Sequence, residues 1–478
     1  MRLGLDDVTG QHKALGELTG VGKSHGAKAA LKAILHPIPH VYEVRYHPST
    51  DVKAEMGDHA VSIVVIGTLD TKLAEHLYLR SQILEADSSI NVILIDAGRS
   101  ETHHEAITVS QPEVYKRSGH SGSLQSLPRG KVVKVMTEGA KNIVKDLFSR
   151  GNMHGVVSLG GSGGTSIATA VMRELPLTLP KLMVSTVASA DTSSYVAETD
   201  ITMMYSVVDI AGLNEMLKAV VTNAAAAIAG MARSYASRSA TVQALKGNEA
   251  RKKGIGITMF GVTTPAVDVA RRELDSRGFE VYVFHATGAG GRAMERLVRE
   301  HRLDGILDLT TTELADELVG GVFSAGEDRL TAAAKAGVPQ IVSVGALDMV
   351  NFGPKDTVPE RFRTRNLFEH NPSVTLMRTS SSECEELGKR VASRLRNNCT
   401  RPNMTEVWLP LKGISAIAVE GQAFYDSEAD SVLFNAIKHG LAGSGIVLKE
   451  VDADINDPAW AKSLAVRLAE LVETKNKS

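Results

Sequence analysis

The densest chemistry in this sequence is a glycine-rich run, Gly160-Gly161-Ser162-Gly163-Gly164-Thr165-Ser166, between the apolar stretch GVVSL and the helical pattern TSIATAVMREL. Glycines let backbone N–H groups approach an anion unobstructed. The following helix aims its N-terminal donors and dipole at the same place. The run therefore predicts a phosphate-binding loop. Thr165 or Ser166 either touches a phosphate oxygen or caps the helix. The plain alternative is a tight turn with an N-cap, but four glycines in five positions exceed what a turn needs.

Similar small, polar and acidic residues follow the other apolar runs. Gly67-Thr68-Leu69-Asp70-Thr71-Lys72 follows SIVVI, Asp96 and Gly98 follow NVILI, and Ser189, Asp191, Thr192 and Ser193 follow KLMVST. Asp70 and Lys72 suit metal or phosphate contact, though Asp70 serves equally as a helix cap. Asp191 among hydroxyls suits Mg²⁺ held through water, or it is a solvated loop carboxylate. A second loop, Gly288-Ala289-Gly290-Gly291-Arg292-Ala293-Met294-Glu295, fits G-x-G-x-x-A, with Asp308 about twenty residues on as a ribose acid. NAD is thus a rival ligand. Against it, the preceding run EVYVFHAT is the second strand of its unit, and Arg292 fits a phosphate or carboxylate clamp better than pyrophosphate packing. His285, Asp308, Thr310-Thr311-Thr312-Glu313 and Asp316 offer an acid/base cluster or a capped helix start. An alternative expectation is an enzyme on a small carboxylated or phosphorylated metabolite, with His285, Arg292, Asp308 and Glu313 facing the interdomain cleft.

Three signals are discounted. Gly20-Val21-Gly22-Lys23-Ser24 resembles a Walker loop, but the first glycine of that motif falls on Glu17 and no strand precedes it. Pro37 and Pro39 prevent the helix that would join His36 to His40. His103-His104 adjoin no cysteines, which disfavours zinc.

Elements of parallel-sheet type must position these loops. Short β-branched runs alternate with helical patterns: SIVVIGT, a helix near 73–86, NVILIDAG, GVVSL, a helix and KLMVSTVAS. Leu213, Met216, Leu217, Val220, Val221, Ala224, Ile228 and Met231 then predict one buried face of a long helix over 211–233. The rhythm restarts with GIGITMFGV, a helix, EVYVFHAT, GILDLTT, QIVSVGAL and SVTLMRT, and a final helix spans about 457–472. The expectation is α/β: two Rossmann-like domains with parallel sheets, each three-layer α/β/α. An extension covers 1–60, the first domain 61–235, a linker 236–253 and the second domain 254–478.

Composition bounds the function. The chain has 478 residues and a formal net charge of -2, which gives no electrostatic case for nucleic acid or an anionic membrane. Aromatics at 4% are too few for a base-stacking surface. Two cysteines, Cys384 and Cys399, make no framework, so reduced thiols in the cytoplasm are expected. No apolar run is long enough for a membrane helix, and MRLGLDDVTG is no secretory signal.

The stretches IGTLDTK, GGSGGTSIATAVMRELP, DITMMYSVVDIAGLN, FGVTTPAV, VFHATGAGGRAME, TTTELADE, GALDMVNFGP, HNPSVTLMRT and INDPAW resemble a bacterial, fungal and plant family of unassigned activity. The amino-terminal half of the tomato mosaic virus resistance protein belongs to it. The resemblance spans roughly 61–472. It implies two Rossmann-like domains, ATP binding and a homodimer, and a plant relative that grips a viral replication protein. It assigns the nucleotide role to the IGTLDTK and GGSGGT loops, and to GAGGR; Mg²⁺ held by acids such as Asp70 or Asp191 is expected to screen the phosphates. Interaction through structural ATP is a further reading. Leu73 stands where the family has glycine, and Ala190 and Ala197 also replace expected glycines.

Overall fold

The computed structural model describes residues 61–245 and 251–474. The expected extension, with Gly20–Ser24, His36 and His40, lies outside the described residues.

In the first half, five strands form one parallel sheet in the order β2-β1-β3-β4-β5. They are β1 (Ser62–Gly67), β2 (Asn91–Asp96), β3 (Gly155–Gly160), β4 (Lys181–Ser185) and β5 (Thr202–Tyr205). The helices are α1 (Leu69–Ala86), α2 (Gln111–Arg117), α3 (Arg129–Ser149), α4 (Ser162–Met172), α5 (Ser193–Val196) and α6 (Glu215–Leu245). Strand residues alternate between two apolar layers. Val64, Ile66, Val156 and Met183 pack with Met136 and Ala140 of α3 and Ile167 and Val171 of α4. Ile63, Val65, Val157 and Val184 pack with Leu79 and Ile83 of α1 and Leu217, Val221 and Ile228 of α6. Burial on both faces explains why SIVVIG is an unbroken apolar run.

The second half has a six-stranded parallel sheet, β14-β13-β9-β8-β6-β7. In chain order its elements are β6 (Gly254–Met259), α7 (Thr264–Ser276), β7 (Glu280–His285), α8 (Ala289–Arg299), β8 (Gly305–Thr310), α9 (Glu313–Val319), α10 (Ala332–Ala336) and β9 (Gln340–Gly345). An insertion of β10 (Met349–Phe352), β11 (Leu367–Asn371) and β12 (Val374–Arg378) follows. Then come α11 (Ser381–Asn398), β13 (Thr405–Pro410), α12 (Ser427–Leu441), β14 (Val447–Val451) and α13 (Pro458–Thr474). The architecture is α/β, with two Rossmann-like parallel sheets flanked by helices on both faces. In both sheets the second strand lies outside the first and the third lies on its other side, a doubly wound 2-1-3 order.

Three expectations are corrected. The run SVTLMRT is β12, the centre of a separate antiparallel sheet β10-β12-β11, because the turn after Asn371 folds it back on its neighbour. The long helix begins at Glu215 and continues to Leu245 through much of the expected linker, where no glycine or proline stops it. Its buried face is rotated: Met216 is 51% exposed, while Ala225, Ala229 and Ala232 join Leu217, Val221, Ala224 and Ile228 against the sheet. Small alanines let helix and sheet approach closely.

Ala197 has φ 48° and ψ -123° at the end of α5, a backbone conformation that glycine enters with less strain. The expected glycine therefore has a physical basis there, whereas Ala190 is not among the positive-φ residues. Ala197→Gly should stabilise the fold by about 0.5–1 kcal/mol. Calorimetry should show a melting point raised by about 1–2 °C; a lowered one would contradict the strain.

Candidate functional site

In a doubly wound sheet the ligand crevice opens at the carboxyl ends of the strands, where the winding direction reverses. In the first sheet that point lies between β1 and β3. The loops leaving these strands are Gly67–Lys72 and Gly160–Thr165, the two strongest motifs of the sequence.

The first loop is braced from within. The Asp96 Oδ1 accepts the Leu69 and Gly98 N–H groups at 3.2 and 2.9 Å. The Asp70 Oδ2 accepts those of Arg99 and Ser100 at 3.0 and 3.2 Å. Asp96 is fully buried, and its other oxygen has no hydrogen-bond partner among the described residues. Burial pushes its pKa up, opposed by the Gly98 and Leu69 amides. Lys72 has non-helical dihedrals inside α1, and its Nζ donates to the Ile210 carbonyl. Thr68 and Thr71 approach each other through their hydroxyls at 3.4 Å, at the surface. Sequence reading missed His76, which is fully buried with Nδ1 2.7 Å from the Lys72 carbonyl oxygen. A Cβ on Gly67 would come within 2.4 Å of the His76 ring, so this glycine serves packing beneath the loop.

The second loop is different. Gly161 is the N-cap of α4 and supplies no side-chain acceptor, and the first intrahelical bond is Thr165 N–H to the Gly161 carbonyl at 2.9 Å. The amides of Ser162, Gly163 and Gly164 precede that bond and have no acceptor among the described residues. A Cβ at Gly161, Gly163 or Gly164 would meet nothing closer than 3.8, 3.7 and 3.7 Å respectively. No packing constraint on the protein side demands these glycines. The atom nearest a Gly163 Cβ is an Arg129 guanidinium nitrogen. Arg129 is exposed at the start of α3 and makes no hydrogen bond or ion pair among the described residues. It too was missed, because only the fold brings a residue 34 positions earlier to this loop. Arg99 donates to the Gln125 and Leu127 carbonyls at 2.8 and 3.4 Å, fastening the segment that leads to Arg129.

Two expected contacts turn elsewhere. Thr165 is fully buried, its hydroxyl 2.7 Å from that of Ser185, so it faces the sheet. Asp191 is exposed and accepts the Ser193 N–H at 2.8 Å, which holds its carboxyl below the usual range. Asp70 and Asp191 stand on different loops. The described residues contain no group of three or more His, Cys, Asp or Glu able to hold a metal.

The loop at 288–295 has the same strand-to-helix form and an opposite solution. The carboxylate of Glu313 occupies it: Oε1 accepts the Gly288 and Gly291 N–H groups at 2.7 and 3.0 Å, and Oε2 accepts from Arg329 Nε at 2.6 Å. A Cβ on Gly291 would lie 2.1 Å from Glu313 Oε2, and one on Gly290 1.9 Å from the His285 carbonyl oxygen. Arg329, with no exposure, also binds Asp308 and lies 3.5 Å from Glu295. Burial pushes Glu313 and Glu295 up, opposed by Arg329. Asp308 therefore does not stand at a crevice as a ribose acid would. Arg292 is no open clamp either: it donates to the Ser324 carbonyl at 2.9 Å and lies 3.6 Å from Glu198. His285 stacks on Phe260 with ring centroids 5.4 Å apart. The loop follows β7, an edge strand. At the β6/β8 reversal, Thr310, Thr311, Thr312 and Glu313 are buried, and β10 covers them with Asn351 bonded to Asp316. The expected acid/base cluster thus becomes an internal ion-pair network.

The two halves meet through α8. Arg296 donates to Thr199 Oγ1 at 2.6 Å and to the Leu175 carbonyl. Leu175 and Thr199 precede β4 and β5, so this joint lies at the amino ends of the first sheet. The glycine loop is at the opposite end.

The contrast between the loops predicts unequal tolerance. Gly291→Ala should destabilise by about 3 kcal/mol or abolish folding, while Gly163→Ala should change stability by less than about 0.5 kcal/mol. Urea midpoints measure both, and equal losses would contradict the packing described. Burial also pushes Asp316 and Asp430 up to about 7 and Asp348 to about 6. These carboxyls keep their protons to higher pH folded than unfolded. Their contribution is intact below the ordinary carboxyl range near pH 4 and is lost as pH rises toward about 7. The urea midpoint should accordingly fall between about pH 4 and about pH 7; a rise across that window would contradict it.

Comparison with known proteins accords with this two-part build. Residues 61–237 match the N-terminal domain and 252–472 the C-terminal domain of the uncharacterised protein family UPF0261. A UPF0261 protein of Clostridium tetani is 46% identical over 86% of this chain and 99% of its own length. One from Mesorhizobium japonicum is 43% identical over 85% and 98%. The tomato ToMV resistance protein Tm-1(GCR237) is 38% identical over 86% of this chain and 55% of that protein. No helix among the described residues is long and apolar enough to cross a membrane. The chain belongs to the uncharacterised protein family UPF0261.

Proposed function

We propose that the first domain binds the phosphates of ATP or a related nucleotide at the N-terminus of α4. The observation that carries this reading is the set of three amides, Ser162, Gly163 and Gly164, beside the guanidinium of Arg129, none of which has a hydrogen-bond or ion-pair partner among the described residues. Ser162 is exposed and Gly163 and Gly164 are half-buried, so water can reach these donors; an anion replaces it by satisfying several together, while the helix dipole adds attraction. Arg129 supplies charge-assisted bonds to the same oxygens. The position at the β1/β3 reversal agrees with the general rule for such sheets.

Mg²⁺ in phosphate sites keeps several waters and needs only one or two carboxylates beside the phosphates. Asp191, exposed on the loop after β4, fits such water-mediated support. Asp70 fits it less well, since Oδ2 already holds two amides. The resemblance adds a homodimer as the working form, and two free cysteines accord with the cytoplasm. Glu313 in its own anion hole leaves the second domain a supporting role, so one nucleotide per chain is the stoichiometry.

Thermal shift tests this directly. ATP at about a hundred times its Kd should stabilise by about 2.7 kcal/mol, and NAD should have no effect. Arg129→Ala should weaken ATP about tenfold. Gly163→Asp should abolish the shift and leave the fold intact, because its carboxylate takes the amides and Arg129 as Glu313 takes those of α8. An unchanged ATP shift in Gly163→Asp would sink the assignment.

A further inference from the structure

The rim of the first-domain crevice is polar at one end and apolar at the other. Arg99 follows β2, and Arg129 stands over the glycine loop after β3. Beyond β4, on the far side, β5 ends in Tyr205, which is 42% exposed, and the next turn displays Val207, 53% exposed. Tyr205 follows Met203 by two positions and so shares its face of the sheet. Met203 packs into the layer of α3 and α4, so Tyr205 stands on the face where α4 begins. Ser206 between them is buried and fixed: its N–H donates to the Ser185 carbonyl at 3.1 Å and its hydroxyl to the Val208 carbonyl at 2.7 Å. Val207 has φ 65°, a conformation that a β-branched residue rarely adopts. Buried anchoring of Ser206 thus holds two large apolar side chains in the open. β5 is two strands from β3, roughly 10 Å across the sheet.

A ligand matching this rim is an anion at one end and a flat apolar ring at the other. We propose that Tyr205 and Val207 form the platform for the base of a purine nucleoside polyphosphate whose phosphates lie on α4. This rests on the phosphate reading above. Ribose and the inner phosphates span the gap between the glycine loop and β5. Stacking reads the face of a ring and not its edge, so the platform holds adenine and guanine alike.

Titration of the full chain with ATP, GTP and inorganic tripolyphosphate separates the platform from the phosphate site. Tyr205→Ala should weaken ATP and GTP about tenfold and leave tripolyphosphate unchanged. Tyr205→Phe, which keeps the ring, should bind all three as the parent does. The platform is overturned if Tyr205→Ala weakens all three equally or none. It is equally overturned if the parent binds tripolyphosphate as tightly as ATP, or if the substitution alters only self-association. Were neither tripolyphosphate nor any nucleotide to bind the parent, the phosphate reading itself would fail and take the platform with it.

Discussion

A helix cannot satisfy the first backbone N–H groups of its own chain, and this chain meets that constraint in two ways. At α8 the Gly288 and Gly291 amides close on the carboxylate of Glu313, itself held by Arg329. At α4 the corresponding amides face an open crevice with Arg129 above them. One helix start is completed by a side chain of the protein. The other has no side chain of the described residues on its amides and is left open to solvent, which is where the proposed anion binds.

The rest of the molecule follows from that difference. The Glu313 carboxylate at the N-terminus of α8 joins Arg329, Asp308 and Glu295 in a buried network, which ties β8, α8 and the segment before α10 into one block. Such networks are weak sources of net stability but fail badly when one partner is removed. The insertion β10–β12 seals the crevice above them. In the first domain the bracing lies one layer lower, in Asp96, Asp70 and the His76 ring under Gly67, and the loop surface is left clear. The joint through Arg296 is made at the amino ends of the first sheet, opposite the end at which the glycine loop stands.

Much of the fold was legible from alternation alone. SIVVIG, GVVSLG and QIVSVG read as buried parallel strands because both faces are covered. SVTLMRT read as one more of them, since its composition does not reveal that its partners run antiparallel. Met216 read as core because spacing cannot distinguish the edge of a helical stripe from its centre. At the site, GGSGG and GAGGR looked equivalent in sequence. What separates them is Glu313, 22 positions beyond Gly291, which no local pattern could aim into the loop. Arg129 was invisible for the same reason: it follows an ordinary proline in LPRG and acquires its place only when α3 packs beside α4.

The most direct measurement is a crystal structure of the full chain grown with excess ATP. Phosphate oxygens should lie within hydrogen-bond distance of the Ser162, Gly163 and Gly164 amides and of Arg129, while Glu313 keeps the N-terminus of α8. Density for phosphate at Gly290–Arg292, or bound nucleotide elsewhere with those three amides facing only water, would contradict the account.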